Sequence, residues 1–102
     1  MIRVGIAGFG IVGKRRGDCI KNNPDMQLVA VCDKKFKDDL VFDGIKCFKN
    51  YSNLLKEDID ALFVCMTNDI AAEVTIAGLK NGLHVFCEKP PGQNIEQIED
   101  LE

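Results

Sequence analysis

Two stretches of this sequence place binding or reactive groups where purely structural demands rarely put them. The first is Gly8-Phe9-Gly10-Ile11-Val12-Gly13, a G-x-G-x-x-G pattern, followed by Asp33 about 20 residues beyond its last glycine. In that pattern Gly8 permits a tight turn, Gly10 lets a pyrophosphate approach the backbone and Gly13 lets the following helix lie close on a sheet. The helix start then meets phosphates with unpaired N–H groups and partial positive charge. Asp33 at the end of the next strand would accept hydrogen bonds from both hydroxyls of an adenosine ribose and repel a 2′-phosphate, which points to NAD. Lys34 and Lys35 beside it can offset part of that repulsion, so NADP stays open. The second stretch is "CEKPPGQ", Cys87 to Gln93, where Lys89 stands between the carboxylate of Glu88 and the ring of Pro90 just after an apolar run. An ammonium at the carboxyl end of a strand points into a ligand crevice, and partial burial can lower its pKa. The plainer alternatives are an ordinary strand-to-helix turn for the glycines and a surface lysine for Lys89. Lys14, Arg15 and Arg16 read as a solvated helix face rather than a phosphate clamp, because backbone amides already serve phosphates at such turns.

The elements that must position these groups follow from apolar patterning. "IRVGIAG", Ile2 to Gly8, is an apolar run ending at glycine and reads as a strand buried on both faces. Ile11, Val12, Cys19 and Ile20 recur at helical spacing up to about Asn22, and Pro24 forbids continuation. "MQLVAVCD", Met26 to Asp33, repeats the buried-strand pattern and completes a βαβ unit with a right-handed crossover. Between Lys34 and Gly44 the sequence is mixed and charged, and one helical turn is expected around Asp38 to Phe42, before a short strand at Lys46 to Phe48. Ser52 is expected to cap a short helix through Glu57. Ala61 to Met66 is a central strand, and Ile70 to Leu79 is a helix with Ala71, Val74 and Ala77 on one stripe, ended by Asn81-Gly82. "LHVFCEK" is the last strand, and Asn94 with Gln97 marks the start of a final helix near Ile95. Strands alternating with helices predict an α/β fold, a Rossmann-type doubly wound parallel sheet with strand order 3-2-1-4-5.

Composition narrows the partners. A chain of 102 residues that is 46% hydrophobic buries one core, so residues 1–102 form a single unit. A net charge of −3 with both signs interspersed offers no cationic field for nucleic acid or an anionic membrane. Five cysteines, Cys19, Cys32, Cys47, Cys65 and Cys87, are an odd number with no C-x-x-C spacing, which fits a reducing, cytoplasmic setting and suggests no metal site. The opening "MIRVGIAGFG" is too short and glycine-rich for a signal peptide, and no segment reaches the length of a membrane span. His84, embedded in the last apolar strand, is assigned a structural role.

The chain resembles the Gfo/Idh/MocA family of NAD(P)-dependent oxidoreductases, which includes glucose-fructose oxidoreductase and inositol dehydrogenase. "VGIAGFGIVG", "LVAVCD", "DALFVCMTND" and "AGLKNGLHVFCEKPPG" carry the resemblance, and Gly82, His84, Val85, Cys87, Glu88, Lys89 and Pro90 fall in register with the family's last block. The resemblance implies that Lys89 is catalytic, contacting the substrate hydroxyl or carbonyl near the nicotinamide. It also implies that Glu88 lies beside the nicotinamide ribose, that Pro90 fixes the turn, commonly through a cis bond, and that Thr67 faces the cofactor. Where the family usually has Thr-Pro-Asn and then histidine, this chain has Thr67-Asn68-Asp69-Ile70-Ala71-Ala72 without the histidine. The family places a second α/β domain after the nucleotide-binding one. The sequence therefore reads as a truncated, N-terminal piece of an enzyme acting on a sugar, cyclitol or nucleotide sugar, inactive alone and expected to self-associate into a homo-oligomer. A non-catalytic NAD(H)-binding or redox-sensing module remains the alternative.

Overall fold

The computed structural model describes residues 1–66 and 68–87. In chain order the elements are β1 (Ile2–Ala7), α1 (Ile11–Lys21), β2 (Met26–Cys32), β3 (Leu40–Phe42), β4 (Ile45–Phe48), α2 (Tyr51–Leu54), β5 (Ala61–Val64), α3 (Asn68–Lys80) and β6 (His84–Cys87). The six strands form one sheet in the order β3-β4-β2-β1-β5-β6. Five of them, β4-β2-β1-β5-β6, run parallel and reproduce the expected 3-2-1-4-5 arrangement.

The sixth strand corrects the sequence reading. Leu40 to Phe42, within the stretch expected to make a helical turn, instead pairs antiparallel with β4 at the sheet edge. The cause is Asp43-Gly44, where both residues have positive φ, 54° and 76°. Two consecutive left-handed residues make the hairpin turn whose twist matches the flanking strands, and Asp-Gly is its usual sequence.

Helices cover both faces. Val4 and Ile6 of β1 pack with Leu28 and Val31 of β2 and Ile20 of α1 on one side, while Ala7, Ala30 and Cys32 pack with Leu54 of α2 and Ala71 and Val74 of α3 on the other. Leu28 and Val31, three apart, share a face because the register shifts between Val4 and Gly5 and leaves Val29 unpaired with β1. Without the extra residue the strict alternation of a strand would turn Val31 to the opposite side. Each fully buried side chain such as Ile6 or Leu62 contributes roughly 1.5–3 kcal/mol relative to exposure.

The buried face of α1 holds the expected Gly13 but only part of the apolar set read at helical spacing. Ile11 is 74% exposed, Cys19 is also exposed, and the residues against the sheet are Gly13, Gly17 and Ile20. Glycines at the contact bring the helix backbone close to β1, which a row of larger side chains would prevent. The short helix α2 also starts earlier than expected: Asn50 is its N-cap, no side chain caps it, and Ser52 lies inside it. The Tyr51 hydroxyl donates to Glu73 Oε2 at 2.8 Å and ties this turn to α3.

Helix α3 ends as its sequence implies. Gly82 has φ +77°, its N–H donates to Leu79 O at 3.0 Å, and the Leu83 N–H donates to Gly78 O at 3.1 Å. This paired closure satisfies the last carbonyls of the helix and aims the chain into β6. His84 at the start of β6 is exposed rather than embedded, because β6 is the outermost strand among the described residues.

The cysteines divide by burial. Cys32 and Cys47 are buried, Cys19 and Cys87 exposed and Cys65 intermediate, all as free thiols. Burial pushes the Cys32 thiol up to about 12, and burial also raises that of Cys47. At neutral pH neither forms the reactive thiolate. Alkylation followed by peptide mapping is expected to modify Cys19 and Cys87 first and to reach Cys32 and Cys47 only on unfolding. Modification of Cys32 as fast as Cys19 in the folded chain would contradict the buried placement.

Candidate functional site: a glycine turn closed by Asp33

The site forms at the carboxyl ends of the parallel strands. The backbone ladder continues just past them: Gly8 N–H donates to Cys32 O at 2.8 Å, Cys65 N–H to Ala7 O at 2.7 Å and Asp33 N–H to Phe48 O at 3.0 Å. These bonds fix the ends of β1, β2, β4 and β5 side by side, with β1 at the position where the chain's path reverses across the sheet. Ligands of doubly wound sheets bind outside the strand ends at such a switch point.

The glycine turn has the shape a dinucleotide needs. Gly8 has φ +95°, and a Cβ there would lie 2.4 Å from the Cys65 carbonyl oxygen. A Cβ on Gly13 would lie 2.0 Å from the carbonyl oxygen of Gly8. Both positions are closed by backbone, whereas a Cβ on Gly10 would meet no atom within 4 Å among the described residues. The third glycine thus serves the protein's own packing, and Gly10 faces open space next to the start of α1. That helix has Gly10 as its N-cap, no capping side chain and no acidic residue in its first turn. Among the described residues no side chain caps its leading N–H groups, and its own first turn brings no acid to them, as a phosphate site requires.

Asp33 stands against this turn. Its Oδ2 accepts the Phe9 N–H at 2.7 Å and its Oδ1 accepts the Lys35 N–H at 2.9 Å. Each carboxylate oxygen retains a second lone pair for a ribose hydroxyl. The contact brings together two pattern elements 24 positions apart in sequence. Gly8, Phe9, Gly10, Ile11, Val12, Gly13 and Asp33 form one cluster. Gly10 supplies the open approach, Phe9 the bond to Asp33, and Ile11 and Val12 the first turn of α1. The donors and the open glycine fit an adenosine diphosphate moiety.

The sequence model of the oxidoreductase family with an NAD-binding Rossmann fold, Gfo/Idh/MocA, matches residues 2–102. The chain belongs to that family. A myo-inositol 2-dehydrogenase of Thermotoga maritima is 30% identical, the match covering 98% of this chain and 31% of the relative. A D-glucoside 3-dehydrogenase of Escherichia coli is 33% identical, covering 98% and 30%. Among solved structures, scyllo-inositol dehydrogenase of Lactobacillus casei with bound NAD(H) and scyllo-inositol superposes with a TM-score of 0.73 at 28% identity, over 98% of this chain and 31% of that one. The chain thus spans about 30% of the length of these relatives. The glycine turn and Asp33 both lie within the matched residues.

Of the expected site residues, Thr67, Glu88, Lys89 and Pro90 lie outside the described residues. Other contacts were not foreseen. Arg16, expected on a solvated face, is half-buried, with its guanidinium 5.7 Å from the centre of the Phe63 ring. Phe63 in turn stacks on Phe86 with centroids 5.0 Å apart. Lys35 does not lie free beside Asp33; its ammonium donates to the Phe9 carbonyl and sits 5.5 Å from the Phe9 ring and 5.8 Å from that of Phe36. No spacing rule links residues 9 and 35, so only the folded chain reveals the pair.

Proposed function

We propose that this chain is the cofactor half of an oxidoreductase that moves a hydride between nicotinamide and the carbinol carbon of a secondary alcohol, or the matching ketone, of a sugar, cyclitol or nucleotide sugar. The observation that carries the reading is the bond from the Phe9 N–H to Asp33, which closes the phosphate turn onto the ribose-binding carboxylate. When bound, nicotinamide supplies the hydride acceptor for oxidation and the donor for reduction.

The chain's own residues divide the remaining tasks. Gly8, Gly10 and Gly13 shape the turn, and the first N–H groups of α1 hold the pyrophosphate. Asp33 binds the adenosine ribose and selects NAD over NADP. The Lys35 ammonium is engaged by Phe9, which leaves the neutralising role to Lys34. Lys89 holds and moves the proton of the substrate hydroxyl as general base in oxidation and general acid in reduction. Glu88, Pro90 and Thr67 line the nicotinamide end. The substrate pocket and the partners of Lys89 belong to a second domain outside residues 1–102, a reading supported by the greater length of the relatives.

Two measurements test this. Titrating the chain with NADH and NADPH at matched salt, read by nicotinamide fluorescence, is expected to show tighter NADH binding. Failure to bind either would count against the dinucleotide site. In the protein extended by its substrate domain, Lys89→Ala is expected to lower turnover about 100-fold or more while cofactor affinity stays within about twofold. Unchanged function in that variant would favour a sensing module over an enzyme.

A further inference from the structure

We propose that Lys35 is a positioning residue for the cofactor pyrophosphate, acting through the peptide group between Phe9 and Gly10. The inference rests on the dinucleotide reading above and adds to it a residue outside the glycine and acidic motif. Three observations converge on Phe9. Its N–H is held by Asp33 Oδ2 at 2.7 Å, its carbonyl is held by the Lys35 ammonium, and its ring lies beneath the same ammonium at 5.5 Å. Lys35 is itself fixed at both ends: its N–H donates to Asp33 Oδ1 at 2.9 Å, and its ammonium also sits 5.8 Å from the Phe36 ring. Asp33 and Lys35 therefore grip the peptide groups on the two sides of Phe9.

The consequence follows from peptide geometry. A trans peptide is planar, with its C=O and N–H pointing in opposite directions. Holding the Phe9 carbonyl toward Lys35 turns the Gly10 N–H away from Lys35. Gly10 is the N-cap of α1 and the one turn glycine with open space around its missing Cβ. Glycine imposes few barriers of its own on rotating this peptide, so an external grip is needed to keep the amide in one orientation. A charged donor serves that purpose, because hydrogen bonds to ionised groups are stronger than neutral ones. Since its charge is directed at a backbone carbonyl and two aromatic rings, Lys35 supports the pyrophosphate, common to NAD and NADP, rather than the 2′-phosphate.

The test compares Lys35→Met, which keeps the stem and removes the donor, with Lys35→Arg, which keeps a donor of similar reach. NADH and NADPH titrations of Lys35→Met are expected to weaken together by roughly five- to twentyfold, a share of the free energy of the one charge-assisted hydrogen bond removed, with Lys35→Arg restoring most of it. In the cofactor-free chain, the Gly10 amide resonance is expected to shift or broaden in Lys35→Met while resonances of α3 and β6 stay in place. A selective loss of NADPH affinity would make Lys35 a 2′-phosphate ligand and overturn the proposal. So would wild-type affinity or an unmoved Gly10 resonance in Lys35→Met. If wild type binds no dinucleotide yet Gly10 still responds to Lys35, the dinucleotide reading fails and the peptide grip stands. Should Lys35→Met lose its fold as a whole, Lys35→Leu, which likewise removes the donor, supplies the same comparison.

Discussion

Gly13→Ala is expected to cost about 3 kcal/mol or more of stability and to abolish measurable NADH binding, whereas Gly10→Ala should leave stability within about 1 kcal/mol and still lose the cofactor. The difference lies in what each new methyl group meets. At Gly13 the Cβ would sit 2.0 Å from the Gly8 carbonyl oxygen, a backbone atom that cannot rotate aside as the tip of a side chain can. Relief requires α1 to lift from β1, which opens the contacts of Ile20 with Val4 and Ile6 in the core beneath. At Gly10 the backbone angles are φ −84° and ψ −153°, extended values open to alanine, and among the described residues nothing beyond its chain neighbours lies within 4 Å of the new atom. The methyl group there costs the free chain little but occupies the approach proposed for the pyrophosphate. Urea unfolding and NADH titration of both variants check the contrast. Equal stability losses at the two positions would remove the distinction between a packing glycine and a binding glycine.

The parts of the fold legible in the sequence are those set by local pattern. The apolar runs of β1, β2 and β5, the stop at Gly82 and the glycine turn each carry their cause within a few residues. The sequence reading failed where long-range packing decides. Along α1 it grouped Ile11, Val12, Cys19 and Ile20 by helical spacing and gave Gly13 the close approach to the sheet; Gly13 and Ile20 are buried, but Gly17, buried beside them, was not foreseen, since close approach outweighs side-chain hydrophobicity there. The β3–β4 hairpin was missed although Asp43-Gly44 announces it: the charged residues Lys37, Asp38 and Asp39 masked a strand only three residues long. In the site, the turn and Asp33 were readable from spacing. The grip of Lys35 on Phe9 was not, because it joins residues 26 positions apart that become neighbours only when β1 and β2 pair.

Removing the Asp33 carboxylate is the second large effect. Asp33→Ala is expected to weaken NADH binding by roughly 10- to 100-fold, since each hydrogen bond to a charged group contributes about 1.5–3 kcal/mol and tenfold corresponds to about 1.4 kcal/mol. Part of the loss comes through the protein. The Phe9 N–H and the Lys35 N–H both lose their acceptor, so the glycine turn loosens as the ribose contacts disappear. NADPH should respond in the opposite direction or hardly at all, because removing the anion lifts its repulsion of the 2′-phosphate and leaves the positive charge of Lys34 unopposed. The ratio of NADPH to NADH affinity is therefore expected to rise even as the turn is weakened for both. Asp33→Asn separates the two contributions. It keeps one oxygen that can accept the Phe9 N–H while abolishing the charge, so it should hold the turn better than Asp33→Ala and shift the cofactor ratio nearly as far. Paired fluorescence titrations of the three proteins read both quantities at once. A ratio unmoved in both variants would mean that the Asp33 charge does not select the cofactor, and that its bond to Phe9 is its main contribution to the site.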